Sequence, residues 1–239
     1  MQSIFERHEN KYLISKEQCV RCQKIISQQM EPDSYCQYMV QNIYYDNEAW
    51  DVIRTSIEKP KYKEKMRLRC YDIPNKESKV FLELKKKYKG IVYKRRAAIP
   101  FNDLSFRSTG DIISVQNSQI FRELNFYMTK NQVMEKIYIA YRRTAFTGIE
   151  EKDLRVTFDA DIRFRLDKLD FLNPELGIFL LPKDIFVMEI KALGGMPLWM
   201  ARFLCENEIF PTPFSKYGKC YTGFIIKQQE INRKELLSA

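Results

Sequence analysis

Glycine is scarce in this chain, 8 of 239 residues. That scarcity excludes a glycine-rich loop cradling phosphates and a flexible glycine-rich linker between domains. Histidine is scarcer still, with His8 alone. The six cysteines contain one CxxC, Cys19 and Cys22, and no second pair. A structural zinc site needs four ligands at workable spacing, so plain reduced thiols are the expectation, on a segment (SKEQCVRCQKIISQQ) that reads as helix. Long apolar runs are missing too. The most apolar stretch, Leu176 to Leu181, is far short of the ~20 residues of a membrane span. The start, MQSIFERHENKY, has no signal-peptide core. The resulting expectation is a soluble chain in the cytoplasm, with the inner face of a membrane left open as its place.

What is present is positive charge and aromatic residues. Forty Lys and Arg against 31 Asp and Glu give a net charge of +9, which favours polyanionic partners without choosing among nucleic acid, membrane surface and polyphosphate. Aromatic residues make up 13%, mostly Phe and Tyr, and favour strands. With 45% hydrophobic and 30% charged residues the composition is globular, and with no linker or repeat the chain reads as one domain, 1–239.

Period-two alternation recurs along the chain. Residues 4–14 place Arg7, Glu9 and Lys11 on one face and His8, Asn10 and Tyr12 on the other. Ser15 then caps a helix expected to reach about Met30 and to end at Glu31-Pro32-Asp33. A strand over Tyr38 to Asp46 and a short helix to Ile57 follow. Lys65 to Tyr71 (KMRLRCY) separates Lys65, Arg67 and Arg69 from Met66, Leu68 and Cys70. Val80 to Tyr88 separates Glu83, Lys85 and Lys87 from Leu82 and Leu84, and pairs with Ile91 to Ile99 across Lys89-Gly90, a hairpin signal. Residues 103–130 are helical in tendency.

The second half repeats the pattern. Strands are expected over Lys136 to Gly148 with Arg143, Leu154 to Asp159 with Arg155, Asp161 to Asp167 with Arg163 and Arg165 offset by Asp161 and Asp167, and Phe186 to Ala192 with Glu189 and Lys191. Leu198 to Asn207 reads as an amphipathic helix, PTPFSKYGKC as an ordered loop, and the tail from about Thr222 as helix.

A strand with one charged face is usually half-buried with its charges in water. Here the charged faces recur in at least six strands and are mostly cationic, so neighbouring strands would set like charges opposite one another unless an anion lay between them. Glutamates recur inside the basic runs at Glu9, Glu83 and Glu189, as metal-assisted phosphate chemistry would need. An α+β fold, a closed antiparallel β-tunnel of about eight strands with flanking helices, satisfies these demands. Exposed cations with interleaved aromatics for stacking are not the pattern, since the aromatics lie mostly on the apolar faces, so nucleic acid is not the expected partner.

The blocks FERxExKY (Phe5 to Tyr12), YYDN (Tyr44 to Asn47), KxRLRxY (Lys65 to Tyr71), FLELKKK (Phe81 to Lys87), RRTAF (Arg142 to Phe146), LRVTFD (Leu154 to Asp159), MEIK (Met188 to Lys191) and FSKY (Phe214 to Tyr217) come in that order. In this the chain resembles VTC domains, the polyphosphate polymerase branch of the triphosphate tunnel metalloenzymes (CYTH-like superfamily), over about residues 4 to 222. The resemblance implies a catalytic set of Arg67, Arg69, Lys85, Arg143, Arg155 and Glu189, and substrate binding by Lys11, Lys87, Lys191, Ser215 and Lys216. It makes Glu189 the ligand of Mn²⁺ or Mg²⁺, with Glu9 and Glu83 as further candidates; Glu83 reads equally as an internal partner for the lysines beside it. The wider superfamily opens on ExExK, but Arg7 stands at the first Glu, which implies a sparser metal site. Lys87 stands where eukaryotic members of the branch carry histidine, and the sensor and membrane segments of those members are not matched.

The expected activity is therefore transfer of the γ-phosphoryl of ATP to phosphate, pyrophosphate or a polyphosphate chain, with room for a membrane-protein partner to take up the product. The rivals are a triphosphatase using water as acceptor and a polyphosphate-binding module without turnover.

Overall fold

The computed structural model describes residues 7–89, 91–104, 111 and 118–227. Among these residues nine strands are interspersed with helices. They are β1 (Arg7–Ser15), α1 (Lys16–Ile26), β2 (Met30–Asp46), α2 (Asp51–Ile57), β3 (Tyr62–Tyr71), β4 (Lys79–Tyr88), β5 (Ile91–Pro100), α3 (Phe101–Leu104), α4 (Gln119–Asn131), β6 (Met134–Gly148), β7 (Arg155–Arg165), β8 (Ile178–Phe179), β9 (Ile185–Leu193), α5 (Leu198–Glu206) and α6 (Lys216–Cys220), which passes into a π-turn over Tyr221–Ile225. Strand pairing runs β1-β9-β7-β6-β2-β3-β4-β5, with β8 on β7, and the registers of β1–β9, β9–β7, β2–β3, β3–β4 and β4–β5 are antiparallel.

The α+β class stands, but the closed barrel does not. Among the described residues the pairing order is open, ending on β1 and β5. Alternation decides which side chains share a face; it does not decide whether the two edge strands meet.

The chain groups into two compact units, 1–39, 141–162 and 181–214 in the first, and 40–140, 163–180 and 215–239 in the second. The first unit's core joins the apolar faces of its strands (Tyr12, Ile14, Val156, Phe158, Met188, Ile190) to α1 and α5 (Cys19, Cys22, Ile26, Met200, Leu204). Cys19 and Cys22 are core packing, and burial pushes their thiols up to about 11 and about 12. In the second unit the apolar faces of β3 and β4, Met66, Leu68 and Cys70 with Val80, Leu82 and Leu84, are buried.

Local chemistry sets the boundaries. Ser15 caps α1 through a reciprocal box with Gln18. The helix stops at Ile26, four residues short of the expected Met30, and Glu31-Pro32-Asp33 belongs to β2 instead of ending a helix. Asp33 accepts hydrogen bonds from the backbone N–H groups of Tyr35 and Cys36, and Cys36 has a φ of 51°; this local turn inside the strand hid it from period-two reading. The two strands expected across Ala160 are one strand, β7, with a positive φ at Asp161 marking the joint. The expected FSKY loop turns helical at Lys216, capped by the Ser215 hydroxyl accepting from Gly218 N–H. The expected strand start at 4–6, Gly90 of the hairpin turn, most of 105–117 and the tail beyond Lys227 lie outside the described residues.

Candidate active site

Each unit carries one polar array, built on the strand faces opposite its core. In the first unit three strands set the rows. Lys11 on β1 and Thr157 on β7 both pair with Glu189 on β9, and Glu9 and Arg155 both pair with Lys191. The Glu189 carboxylate accepts from Lys191, and lies 3.7 Å from Lys11 Nζ, which is 3.1 Å from Glu9. Burial would raise the Glu189 carboxyl, but the charges of Lys191, Lys11 and Arg143 outweigh it and hold the group down at about 2. Glu189 is therefore ionised at any working pH.

Arg143 on β6 lies over the Tyr141 ring, 5.1 Å from its centroid. It gives two hydrogen bonds, of 2.6 and 2.8 Å, to the carboxylate of Asp159, which has no exposed surface. Burial disfavours the charged guanidinium, and the Asp159 carboxylate more than restores it. Arg155 is anchored by Asp33 at 2.9 Å and by the Tyr38 hydroxyl at 3.4 Å.

In the second unit the hub is Glu83 on β4, 1% exposed. Its oxygens meet Arg67 at 2.8 Å, Lys94 at 2.5 Å, Arg96 at 3.3 Å and Arg69 at 3.8 Å. Burial alone would raise this carboxyl as well; Arg67, Arg69 and Lys94 hold it down at about 2. From β2, the Tyr44 hydroxyl accepts from Arg67 at 3.2 Å and the Asn42 side-chain carbonyl from Arg69 at 2.9 Å.

Next to that hub the rows set lysine against lysine. Lys65, Lys85 and Lys94 stand opposite one another across β3, β4 and β5, and Lys63 stands opposite Lys87 in the next row. Burial lowers the Lys63 ammonium, and Lys87 and Lys59 lower it further. Lys65 Nζ reaches the Ser215 hydroxyl at 3.3 Å, which brings the FSKY segment to this ladder with Lys216 next in the chain. That segment is fixed from beneath: Tyr217 is fully buried and donates its hydroxyl to Asp46 at 2.7 Å. Asp46 also accepts the N–H groups of Val52 and Ile53 at the start of α2.

The expected residues thus fall into two sets. Glu9, Lys11, Arg143, Arg155, Glu189 and Lys191 belong to the first unit, and Arg67, Arg69, Glu83, Lys85, Lys87, Ser215 and Lys216 to the second. The like-charge opposition expected of neighbouring strands recurs in the second unit; in the first it is met by Arg155 against Lys191, while the register sets Lys11 against Glu189 and Glu9 against Lys191. Of the two readings of Glu83, the contacts match the internal partner, although it serves arginines, Lys94 and Arg96 in place of the adjacent lysines.

Residues the sequence reading missed are Lys94 and Arg96 on the hub, Asp159 behind Arg143 and Asp33 behind Arg155. Counting register back from the hairpin turn would have found Lys94 and Arg96. Arg163 and Arg165 are corrections: Arg163 pairs with Glu175 and Arg165 with Asp170 and four backbone carbonyls of residues 168–176, while Asp161 pairs with Arg142. Arg165, stacked 3.6 Å over Tyr138, organises a loop.

No cluster of three His, Cys, Asp or Glu side chains able to enclose a metal occurs among the described residues. Glu189 and Glu9, both in contact with Lys11, fit the sparser mode of Mg²⁺ or Mn²⁺, in which one or two carboxylates hold the ion and phosphates and water complete it. No described helix is long and apolar enough to cross a membrane.

Comparison with known proteins finds the family model of the VTC domain matching residues 6–225. No curated protein matches. Among solved structures, the PH1819 protein of Pyrococcus horikoshii OT3 is 14% identical over 91% of this chain and 98% of its own, with a TM-score of 0.48. A putative adenylate cyclase from Vibrio parahaemolyticus is 11% identical over 91% and 98%, at 0.46. The Schizosaccharomyces pombe Mediator head module is 8% identical over 91% and 95%, at 0.47. At these scores the likenesses bear no weight for function.

Proposed function

The chain belongs to the VTC domain family, and on that premise we propose that it is a polyphosphate polymerase, moving the γ-phosphoryl group of ATP onto phosphate, pyrophosphate or a growing phosphate chain. The observation that carries the reading is the lysine ladder: Lys65, Lys85 and Lys94 in one cross-strand row, with Lys63 against Lys87 in the next. Like charges set opposite one another destabilise a sheet, and a polyanion laid along them reverses the sign of that interaction.

The reaction asks for alignment and positive charge more than for covalent chemistry. A terminal phosphate oxygen of the acceptor attacks the γ-phosphorus, the bond from the γ-phosphorus to the β–γ bridging oxygen breaks, and ADP leaves with that oxygen. The attacking oxygen is already anionic near neutral pH, so no general base is required, in keeping with a His8 that lies on the face of β1 opposite Lys11. Arg67 and Arg69, held in place by Glu83, Tyr44 and Asn42, and Arg143, held by Asp159, present forked donors suited to phosphate oxygens. The lysines of the ladder supply mobile point charges along a chain. Mg²⁺ or Mn²⁺ on Glu189 would supply further neutralisation of phosphate oxygens.

Incubation of the protein with ATP and Mn²⁺, followed by resolution of the products, tests the proposal. Long phosphate chains are expected; free phosphate alone would make the protein a triphosphatase, and unchanged ATP a binding module. Glu189→Gln is expected to lose turnover while keeping much of its ATP affinity, and an active Glu189→Gln enzyme would sink the metal assignment.

A further inference from the structure

Three buried polar atoms in the first unit have no hydrogen-bond partner among the described residues: Nε1 of Trp199 on α5, and two that lie on one face of one strand, Nε of Arg155 and the hydroxyl oxygen of Thr157 on β7. Folded proteins satisfy the great majority of such atoms, so two on alternate residues of a strand ask for a cause. Their neighbours on the same face are satisfied. Arg143 is paired with Asp159, and Lys11 and Lys191 with Glu189. Across the β7–β9 pair, Thr157 stands opposite Glu189 and Arg155 opposite Lys191. Thr157 is 2% exposed, and no motif assigns it a role.

We infer that the Thr157 hydroxyl and Arg155 Nε–H together form a phosphate-oxygen subsite beside Glu189, with Thr157 as a substrate-binding residue. The inference rests on the polyphosphate reading above and deepens it. A guanidinium N–H can only donate, and a threonine hydroxyl donates readily. Two donors beside two lysines call for an anion, and a phosphate group offers oxygens to both. The ammonium groups of Lys11 and Lys191 are drawn onto Glu189, yet the two side chains keep 28% and 27% of their surface in solvent. A phosphate group competes with Glu189 for those ammonium groups, and in taking them it opens the hydroxyl next to the carboxylate. The subsite is thus closed over itself when empty and completed by the ligand.

The test compares wild type, Thr157→Val and Thr157→Ser in two measurements: thermal melting without ligand, and titration with inorganic tripolyphosphate by calorimetry. Valine keeps the shape and removes a hydroxyl that has no protein partner, so the melting temperature of Thr157→Val is expected to stay or rise, while its dissociation constant for tripolyphosphate rises about tenfold, the loss of one hydrogen bond to a charged group. Thr157→Ser, which retains the hydroxyl, is expected to bind within a few-fold of wild type. A lowered melting temperature in Thr157→Val would mean the hydroxyl serves the fold and would overturn the inference. Unchanged affinity in Thr157→Val would overturn it as well, leaving the polyphosphate reading intact. Absence of binding by wild type would remove both.

Discussion

Asp159 gives both carboxylate oxygens to Arg143, and neither group keeps much contact with water. A buried ion pair of this kind adds little stability as a whole, because desolvation offsets attraction, but breaking it leaves a lone charge in the interior. Asp159→Ala is therefore expected to destabilise the protein by about 3–5 kcal/mol, measured as a fall in the urea midpoint at unchanged slope; a change below 1 kcal/mol would mean the guanidinium finds water on its own. Arg143 was legible as a site residue from alternation. Asp159 was legible only as a member of the LRVTFD block, and Asp33 not at all, since it lies 122 residues from the Arg155 it anchors. Partners that far apart are chosen by the fold, and nothing in their local sequence marks them.

At the scale of elements, the β3–β4–β5 ladder is the sheet's least self-consistent part. The β4–β5 register sets Tyr88 opposite Ile91, and by counting back sets Lys87, Lys85 and Glu83 opposite Val92, Lys94 and Arg96. Glu83 relieves its own row, with an arginine on either side, and also reaches Lys94 of the neighbouring row, while Lys63 and Lys87 stand as a like pair in the row beyond. Lys87→Gln is expected to raise stability by about 0.5 kcal/mol in the absence of anions, by relieving Lys63. The same substitution is expected to shrink the rise in melting temperature that tripolyphosphate produces. A loss of stability without anion would show that Lys87 is held by something other than repulsion. The strands and their polar faces were readable here because each needs only period two. Lys94, Arg95 and Arg96 are consecutive, so period two alone does not say which of them share the Glu83 face; the register with β4 decides it.

At the scale of the whole molecule, both units concentrate positive charge around a carboxylate held at about 2, Glu83 in one and Glu189 in the other. Each is bound more strongly as an anion in the folded state than in the unfolded chain, where it would titrate near 4.5. The stability they contribute is therefore fully present above about pH 4.5 and is lost as pH falls toward 2. Acid titration followed by circular dichroism is expected to show unfolding within that window. Added tripolyphosphate is expected to protect the fold by binding the cations that the protonated carboxylates no longer balance. A fold unchanged down to pH 2 would mean the cations spread apart on their own.

The sequence by itself determined the strand faces, the α1 cap, the excess of cations and, through eight ordered blocks, the family, because all of these are set by neighbours close along the chain. Tertiary structure alone decided which charges oppose which, that Glu83 serves four cations while Glu189 serves the lysines of β1 and β9, and that the pairing order is open. It alone also left the Thr157 hydroxyl and Arg155 Nε without partners among the described residues. Register and edge closure depend on pairings between distant strands, and alternation within one strand carries no record of them.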